Sequence, residues 1–542
     1  MCCLAHPLTF AGAANASALA ASHPSGFYQQ PFLLQVKADP SLYEYLILTN
    51  GVAAGPPSKS PELSCWISDT TALAAFPREP NAGASRILQR IYIFPGKILE
   101  QRGIGYPSAW GTNEGKAVPA YYVMDNSPLS TTEAIGRALK QLPTLSLLLA
   151  NNDLFGENGI YSHPQESGDA WERLIAAEIW FADGTPGFQF RCGLRIQGGW
   201  NRRPEESPKH SFRLVFRKKY GAAKLRFGLF DPNRAEEFDH LILRGGNNNS
   251  WLHWSGEERQ RADYLRDQWM RETFASMGQL SARGRFVHLY LNGLYWGIYN
   301  LTERPDAAFA SQHHGGKRED FDARNADKVL QGDTKAWDEL FRNANAGVTD
   351  KEGFLRLASQ VDMTNLVDYL ILNFYGANAD WDRSSNWYAI RRRSPPGPFQ
   401  FVVWDGERTL EGLRDDTMAF DDDQSPPRLF HKLKQSAEFK LLFADRIQRH
   451  FFKDGALTPK NAAERFERLS RFLEDAIPAE AARWGAYRHD VHQYKTGPYE
   501  RYTREQHWWP ETARLLKRYF PERSSVVVDL FKRAELYPAD RP

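Results

Sequence analysis

Residues 287–303, VHLYLNGLYWGIYNLTE, decide how the chain is organised. Apolar side chains alternate on both sides of Asn292-Gly293, the dipeptide that two-residue hairpin turns favour because both residues tolerate positive φ. The stretch predicts a β-hairpin. At its end Glu303, Arg304 and Pro305 make a short polar connection with the geometry of a hinge. Upstream, back to about residue 151, strands dominate, with one strong helix at roughly 257–277. Downstream the apolar spacing turns helical and predicts helices over 349–361, 364–376, 427–452, 458–476 and 503–519. A strand-rich half followed by a helix-rich half predicts an α+β fold of two lobes with a cleft between them, and ligands favour such clefts.

Further out the signals weaken. Residues 132–150 read as a helix, TEAIGRALKQL, followed by a buried strand, TLSLLLA. Short apolar runs between Pro, Gly and Ser predict a small β-sandwich over 25–130. Residues 1–24 are Ala/Ser-rich and read as a loose or leader-like tail, although no basic n-region opens them. The expected division is therefore 1–24, 25–130, a strand-rich lobe over 135–303 and a helical lobe over 304–542.

Composition excludes several classes. The chain has 542 residues, 42% hydrophobic and 25% charged, which is the range of packed globular proteins and rules out general disorder. Its 68 basic residues against 66 acidic ones leave a net charge of +2, which argues against a nucleic-acid coat or a polybasic membrane binder. Cys2, Cys3, Cys65 and Cys192 form no C-x-x-C pair, so the reading is one disulfide or none and no thiolate metal site. No apolar run reaches the length of about 18 residues that a membrane-spanning helix needs. Aromatics at 13% suit large cores or ring-lined clefts, and composition does not choose between them.

Three segments carry chemistry. The first is GLRIQGGWNRRPEESPKHSFRLVFRKKYG, residues 193–221, where strands near 187–197 and 210–217 bracket a glycine-containing basic loop. Gly198-Gly199 permit close backbone approach, and Arg202, Arg203 and Lys209 offer charge to phosphate oxygens. Arg202 and Arg203 read as a solvated loop. The second is the helix carrying Arg266 and Asp267; a buried Asp267 needs a cationic partner, and Lys209 is one candidate. The third, residues 362–412, runs from an amphipathic helix through a polar loop with Asp380, Asp382 and Asn386 into two strands, Trp387–Arg391 and Phe399–Trp404. The second strand ends in Asp405-Gly406-Glu407. A hairpin there brings the Asn386 loop beside the Asp405 loop, so oxygen ligands converge in a way that suits Mg²⁺. The competing reading of these residues is a set of helix caps and turn formers.

The order of parts matters more than any one of them. A glycine-containing strand pair, a Lys, a helix acid, a hairpin, a hinge, a D…N loop and a strand-end Asp follow one another as the parts of protein kinases do, without H-R-D, D-F-G or A-P-E triplets.

Taken together, RIQGGWNRRPEESPKHSFRLVFRKKYG, LILRGGNNNSW, YLRDQWMRE, VHLYLNGLYWGIYNLTERPD, DMTNLVDYLILNFYGANADWDRSSNWYAIRRR and FVVWDGERTLEG resemble the CotH family of atypical, secreted protein kinases. The N-terminal GFYQQPF and YIFPGKILEQ look like a degenerate chitobiase-type C-terminal β-sandwich. The resemblance implies a bilobal protein-kinase-like fold, binding of ATP and Mg²⁺ or Mn²⁺, and transfer of the γ-phosphoryl to a Ser or Thr of a secreted or cell-envelope protein. It implies Lys209 as the phosphate-binding lysine, with Arg195, Gly198 and Asp267 also lining the nucleotide, and Glu303 where a hinge meets adenine. It implies Asp380 as the base that orients the acceptor hydroxyl, and Asn386 and Asp405 as metal ligands. The family commonly shows D-W-x-x-N-N-W; here Asp380 and Asn386 are further apart, which makes Asp382, four before Asn386, a second candidate base. Glu407 stands where the family carries a second Asp. The alternatives are a nucleotide-binding pseudokinase, a non-catalytic envelope scaffold, and a carbohydrate-binding or carbohydrate-active surface protein. For the last, Asp405 and Glu407 are one glycine apart and poorly placed to flank a sugar.

Overall fold

The computed structural model describes residues 20–37, 43–49, 52–53, 62–77, 88–113, 115–125, 131–183, 185, 187–231, 236–348, 350–381 and 386–540. The centre of the molecule is a closed barrel of seven strands. In barrel order these are Thr144–Leu148, Arg173–Trp180, Phe188–Gln197, Ser211–Val215, His240–Arg244, Leu294–Glu303 and Gly284–Leu291. All neighbours are antiparallel except the closing pair, where Thr144–Leu147 runs parallel to His288–Leu291. Alternate residues of each strand fill the inside: Leu145, Leu147, Ile175, Leu194, Phe212, Leu214, Leu243, Leu289 and Tyr299 share one core.

The predicted hairpin is the pair Gly284–Leu291 and Leu294–Glu303, with Asn292 and Gly293 both at positive φ (50° and 82°). Both faces of its second strand are buried along the whole length. One face points into the barrel. The other is covered by residues 477–487, which leave the helical half and return to the barrel. Close approach is possible because residue 297 is glycine: at φ +110°, a Cβ there would stand 2.6 Å from Glu480 Oε2.

A second core belongs to the helices. It joins Met363–Gly376, Pro426–Leu433, Ala437–Phe451, Pro459–Glu474 and Phe520–Arg533 with Trp337 and Phe341. A four-stranded sheet, in the order Lys328–Gln331, Phe321–Asn325, Trp387–Arg392, Phe399–Val403, lies between these helices and the barrel.

Several expectations are corrected in detail. The helix expected over 257–277 is two helices, Gly256–Gln260 and Arg266–Ser276. The chain breaks at Tyr264, which takes φ +66°, and Asp263 Oδ1 accepts from Leu265 N at 2.7 Å to start the second helix. That second helix, although it precedes the hairpin, packs into the helical core through Trp269, Met270 and Phe274. The long helix expected over 427–452 is interrupted at Ser436, whose hydroxyl accepts from Phe439 N and restarts it. The last helix continues beyond 519 to Arg533. A division at residue 303/304 is therefore not a division in space.

In the N-terminal region two sheets are present, Ala20–Ala21/Phe32–Lys37/Glu62–Ile67 and Gly26–Phe27/Leu88–Ile93/Thr71–Pro77/Tyr43–Thr49/Val52–Ala53. Leu34, Val36, Ile67, Leu73, Leu88, Tyr92 and Phe94 form the core they share. Residues 1–19 lie outside the described residues, but Ala20 and Ala21 pair with Lys37 and Val36, so the expected tail does not extend to residue 24. Among the described residues Cys65 and Cys192 are both free, and no helix is long and apolar enough to cross a membrane.

Candidate functional site

Where the barrel, the helix Arg266–Ser276 and the four-stranded sheet meet, three carboxylates surround one guanidinium. Arg244 ends its barrel strand and points outward, because Leu241 and Leu243 take the inward positions. Its Nη2 donates to Asp405 Oδ1 at 2.7 Å and to Glu407 Oε1 at 2.6 Å, and its Nε lies 3.3 Å from Asp267 Oδ2. The guanidinium also stands over the Trp404 ring at 4.8 Å.

Local structure sets each of these positions. Asp405 follows the strand Phe399–Val403 and takes φ +63°, a left-handed conformation that is strained for a non-glycine residue and turns the chain out of the sheet. Gly406 N then donates to Asp267 Oδ1 at 3.1 Å, and Asn248 N donates to Glu407 Oε2 at 2.8 Å. Backbone bonds from Ala379 N to Arg408 O and from Leu410 N to Gly376 O hold the Asp405 loop against the loop that follows the helix Met363–Gly376. The pairing Trp387↔Val403 puts Asn386 beside Trp404, one residue from Asp405. Asn386 Nδ2 donates to Asp380 O at 2.5 Å, so these two share one loop, and half-buried Asp380 lies in the field of Arg408. Asp382 lies outside the described residues.

The electrostatics follow from crowding. Burial pushes the Glu407 carboxyl up to about 7, and Asp405 and Asp267 add to the shift against the pull of Arg244. Burial also acts to raise Asp267, but Arg244 and Arg271 outweigh it and hold that carboxyl below its ordinary value. Arg271 Nε donates to Asp267 Oδ2 at 3.0 Å. Among the described residues no group of three or more His, Cys, Asp and Glu side chains is gathered around a vacant ion position; here Arg244 stands at the centre. The donor types are those a hard divalent cation takes: carboxylate oxygens at Asp405 and Glu407, with an amide oxygen at Asn386 on the neighbouring loop.

The other predicted residues fall elsewhere. Lys209 does not pair with Asp267. It is fully buried, and its Nζ donates to Glu480 Oε1 and to Ile298 O, both at 2.6 Å. Ile298 N returns a bond to Glu480 Oε2 at 2.6 Å, and the rings of Tyr299 and Tyr264 stand 4.9 and 5.6 Å from Nζ. Burial lowers the Lys209 ammonium from its ordinary value, and Glu480 offsets part of that. Tyr264 and Ile298 line a narrow pocket with Arg244, Gly245, Asp267 and Glu407, so Lys209 lies beneath that pocket's floor rather than in its opening. Arg266 pairs with Asp263 and Glu511, not with Asp267.

Arg195 is held by Asp169 and Glu172 on the outside of the barrel. Gly198, at φ +124°, opens a loop whose Arg202 is bound to four backbone carbonyls, Gly198, Pro164, Glu166 and Ile196, rather than being freely solvated. Glu303 is buried, and its oxygens accept from Arg283 Nε (2.9 Å), Arg283 Nη2 (2.6 Å) and His313 Nε2 (3.2 Å). Those partners hold its carboxyl below the ordinary range although burial opposes them. Both carboxylate oxygens are committed to the fold.

Sequence reasoning missed Arg244 and Glu480. Arg244 has a local signal, a strand-end Arg before Gly245-Gly246 in LILRGGNNNSW. Glu480 has none, since it lies 271 residues from Lys209.

A family model described as CotH kinase protein matches residues 194–527, well over half of the chain, and spans every residue of this site and the Lys209–Glu480 pair. The match does not reach the N-terminal sheets. No curated protein matches the chain. With the matched span enclosing the carboxylates, the arginine at their centre and the loops that hold them, the chain belongs to the CotH kinase protein family.

Proposed function

We propose that the protein is an ATP- and Mg²⁺-dependent protein kinase, with Mn²⁺ as an alternative metal, acting on Ser or Thr of a secreted or cell-envelope protein. In this reading the barrel is the counterpart of a kinase N-lobe and the helical core that of a C-lobe. The observation that carries it is the convergence of Asp267, Asp405 and Glu407 on Arg244 at one strand end, in a chain of the CotH kinase family.

Asp405, Glu407 and Asn386 would hold the metal, which when bound supplies positive charge to the transferring phosphoryl group. The protein's own task is positioning and charge placement, which supply most of the acceleration in phosphoryl transfer. Asp267 anchors the Asp405 loop through Gly406 N and so fixes where Asp405 presents its carboxylate. Asp380, in the loop of Asn386, would accept a hydrogen bond from the acceptor hydroxyl and take its proton as the oxygen attacks; Asp382 is the alternate. The buried Lys209–Glu480 pair braces the pocket floor through both backbone groups of Ile298.

The test is transfer of labelled phosphate from ATP to a Ser/Thr-containing protein substrate, or to the kinase itself. Asp405→Ala is expected to reduce transfer by at least about a hundredfold while the melting profile stays cooperative. Wild-type transfer by this variant would end the assignment of Asp405. Magnesium-dependent nucleotide binding without transfer by the wild type would instead support the pseudokinase reading.

A further inference from the structure

Asp405 and Glu407 would offer a metal the same oxygens that Arg244 already holds. Arg244 Nη2 stands 2.7 Å from Asp405 Oδ1 and 2.6 Å from Glu407 Oε1. Hard divalent cations take carboxylate oxygens at about 2.0–2.6 Å. A cation shared by those two oxygens and the Nη2 group therefore exclude each other. The second oxygen of Glu407 is engaged, since Oε2 accepts from Asn248 N at 2.8 Å.

Charge leads to the same exchange. Asp267, Asp405 and Glu407 face Arg244 and Arg271, so three carboxylates against two guanidiniums leave one negative charge when all are ionised. A divalent cation would turn that into one positive charge in excess. Arg271 is not free to carry the change, because it donates to Asp267 Oδ2, Ala282 O, Gln268 Oε1 and Asn300 Oδ1. Arg244 is held less completely. Its Nε lies 3.3 Å from Asp267 Oδ2, and among the described residues its Nη1 has no hydrogen-bond partner.

The place to which it can turn is adjacent. Arg244 lines the narrow pocket with Gly245, Asn249, Tyr264 and Asn300, and it is the only cation in that lining. Asn300 is its partner across the ladder. Arg271 fixes the Asn300 amide by donating to Oδ1, which leaves Nδ2 as a buried donor with no partner among the described residues. The Asn249 amide, 2% exposed, has no partner on either atom. Amide N–H groups and a planar guanidinium fork are donors that phosphoryl oxygens accept from. Lys209, beneath the floor, is already neutralised by Glu480.

We propose that Arg244 and a divalent cation compete for Asp405 and Glu407, and that the displaced guanidinium turns into the pocket to bind phosphoryl oxygens of the nucleotide. The nucleotide half rests on the kinase reading above; the exchange at the carboxylates does not.

The test is titration of the full chain with Mn²⁺ alone, followed by electron paramagnetic resonance of the free ion, and separately with ATP at saturating Mg²⁺. Arg244→Gln is expected to bind Mn²⁺ at least about tenfold more tightly than the wild type, because the competing occupant is gone. The same variant is expected to bind ATP–Mg²⁺ roughly ten- to a hundredfold more weakly. A substitution that merely disorders the site weakens both. Arg244→Lys keeps the charge without the fork, so its Mn²⁺ affinity is expected to stay within severalfold of the wild type while ATP–Mg²⁺ binding weakens. In EDTA, Arg244→Gln is expected to melt below the wild type, since a buried ion pair has lost one member, and Mn²⁺ should raise its melting temperature more than that of the wild type. Adding Asp405→Ala to Arg244→Gln is expected to abolish the gain in Mn²⁺ affinity.

Mn²⁺ affinity in Arg244→Gln equal to or below that of the wild type, or a gain that survives Asp405→Ala, overturns the exchange. Unchanged ATP–Mg²⁺ affinity in both Arg244 variants overturns the phosphoryl contact and leaves the kinase reading standing. Tighter Mn²⁺ binding by Arg244→Gln, with no binding of ATP–Mg²⁺ by the wild type, supports the exchange and overturns the kinase reading.

Discussion

Lys209 and Glu480 are both completely buried, and their side chains meet at 2.6 Å. Burying two ions costs several kcal/mol each before their attraction is counted, so the pair adds little net stability. Removing one member is a different matter. Glu480→Gln is expected to destabilise the protein by about 3–5 kcal/mol, because a buried ammonium loses its counter-ion. Lys209→Met combined with Glu480→Leu is expected to recover most of that loss, as measured by urea unfolding. A single variant with wild-type stability would show that Lys209 is not charged in the folded protein.

At the scale of elements, the strand Arg173–Trp180 carries a second buried carboxylate, Glu178, which ties the N-terminal sheets to the barrel. Ser25 Oγ donates to Glu178 Oε2 at 2.5 Å, Gln189 Nε2 donates to Oε1 at 3.0 Å, and Arg90 lies 3.5 Å away. Burial pushes this carboxyl up to about 7, against the pull of Ser25 and Arg90. Because the folded state holds the proton more tightly than the unfolded chain, stability contributed by the protonated form is present below about pH 4.5 and is lost as pH rises towards 7. Glu178→Gln removes that dependence. Its stability relative to the wild type is expected to improve by up to about 3 kcal/mol between pH 4.5 and 8. Parallel stability–pH curves for the two proteins would refute the buried, proton-binding state of Glu178.

Elements were legible in the sequence where a local rule acts. The Asn292-Gly293 hairpin, the helix Met363–Gly376 and the strand pair ending at Asp405 all follow from alternation, helical spacing and turn chemistry. The break at Tyr264 was not, because the apolar spacing runs through it and the interruption is set by Asp263, whose charge is held by Arg266 and whose backbone carbonyl accepts from Trp508 Nε1. The convergence of acidic residues at the Asp405 loop was legible for the same local reason. Its central cation was not, since nothing in the spacing of 362–412 points to a strand end more than a hundred residues earlier.

For the whole molecule, barrel and helices are interleaved. The helix Arg266–Ser276 precedes the hairpin yet packs with the helical core, and residues 477–487 follow most helices yet seal the barrel. Arg483 donates to Tyr295 O on a barrel strand and to Tyr121 O, and Arg488 to Leu252 O and Glu206 O, so buried guanidiniums tie this segment to the barrel and to the loops around it. Hydrogen exchange followed by mass spectrometry is expected to show 284–303 and 477–491 opening together, as one cooperative unit. Peptides from 477–491 that exchange at the rate of an isolated surface helix would count against this closure.

The 271-residue separation of Lys209 from Glu480 also bears on biosynthesis. A chain emerging from the ribosome exposes the barrel strands long before residue 480 is made. Until then the ammonium of Lys209 has no counter-ion and the outer face of Leu294–Glu303 has no cover. The pocket floor at Ile298 can settle only after translation has passed Glu480, so a nascent chain lacks a finished pocket for most of its synthesis.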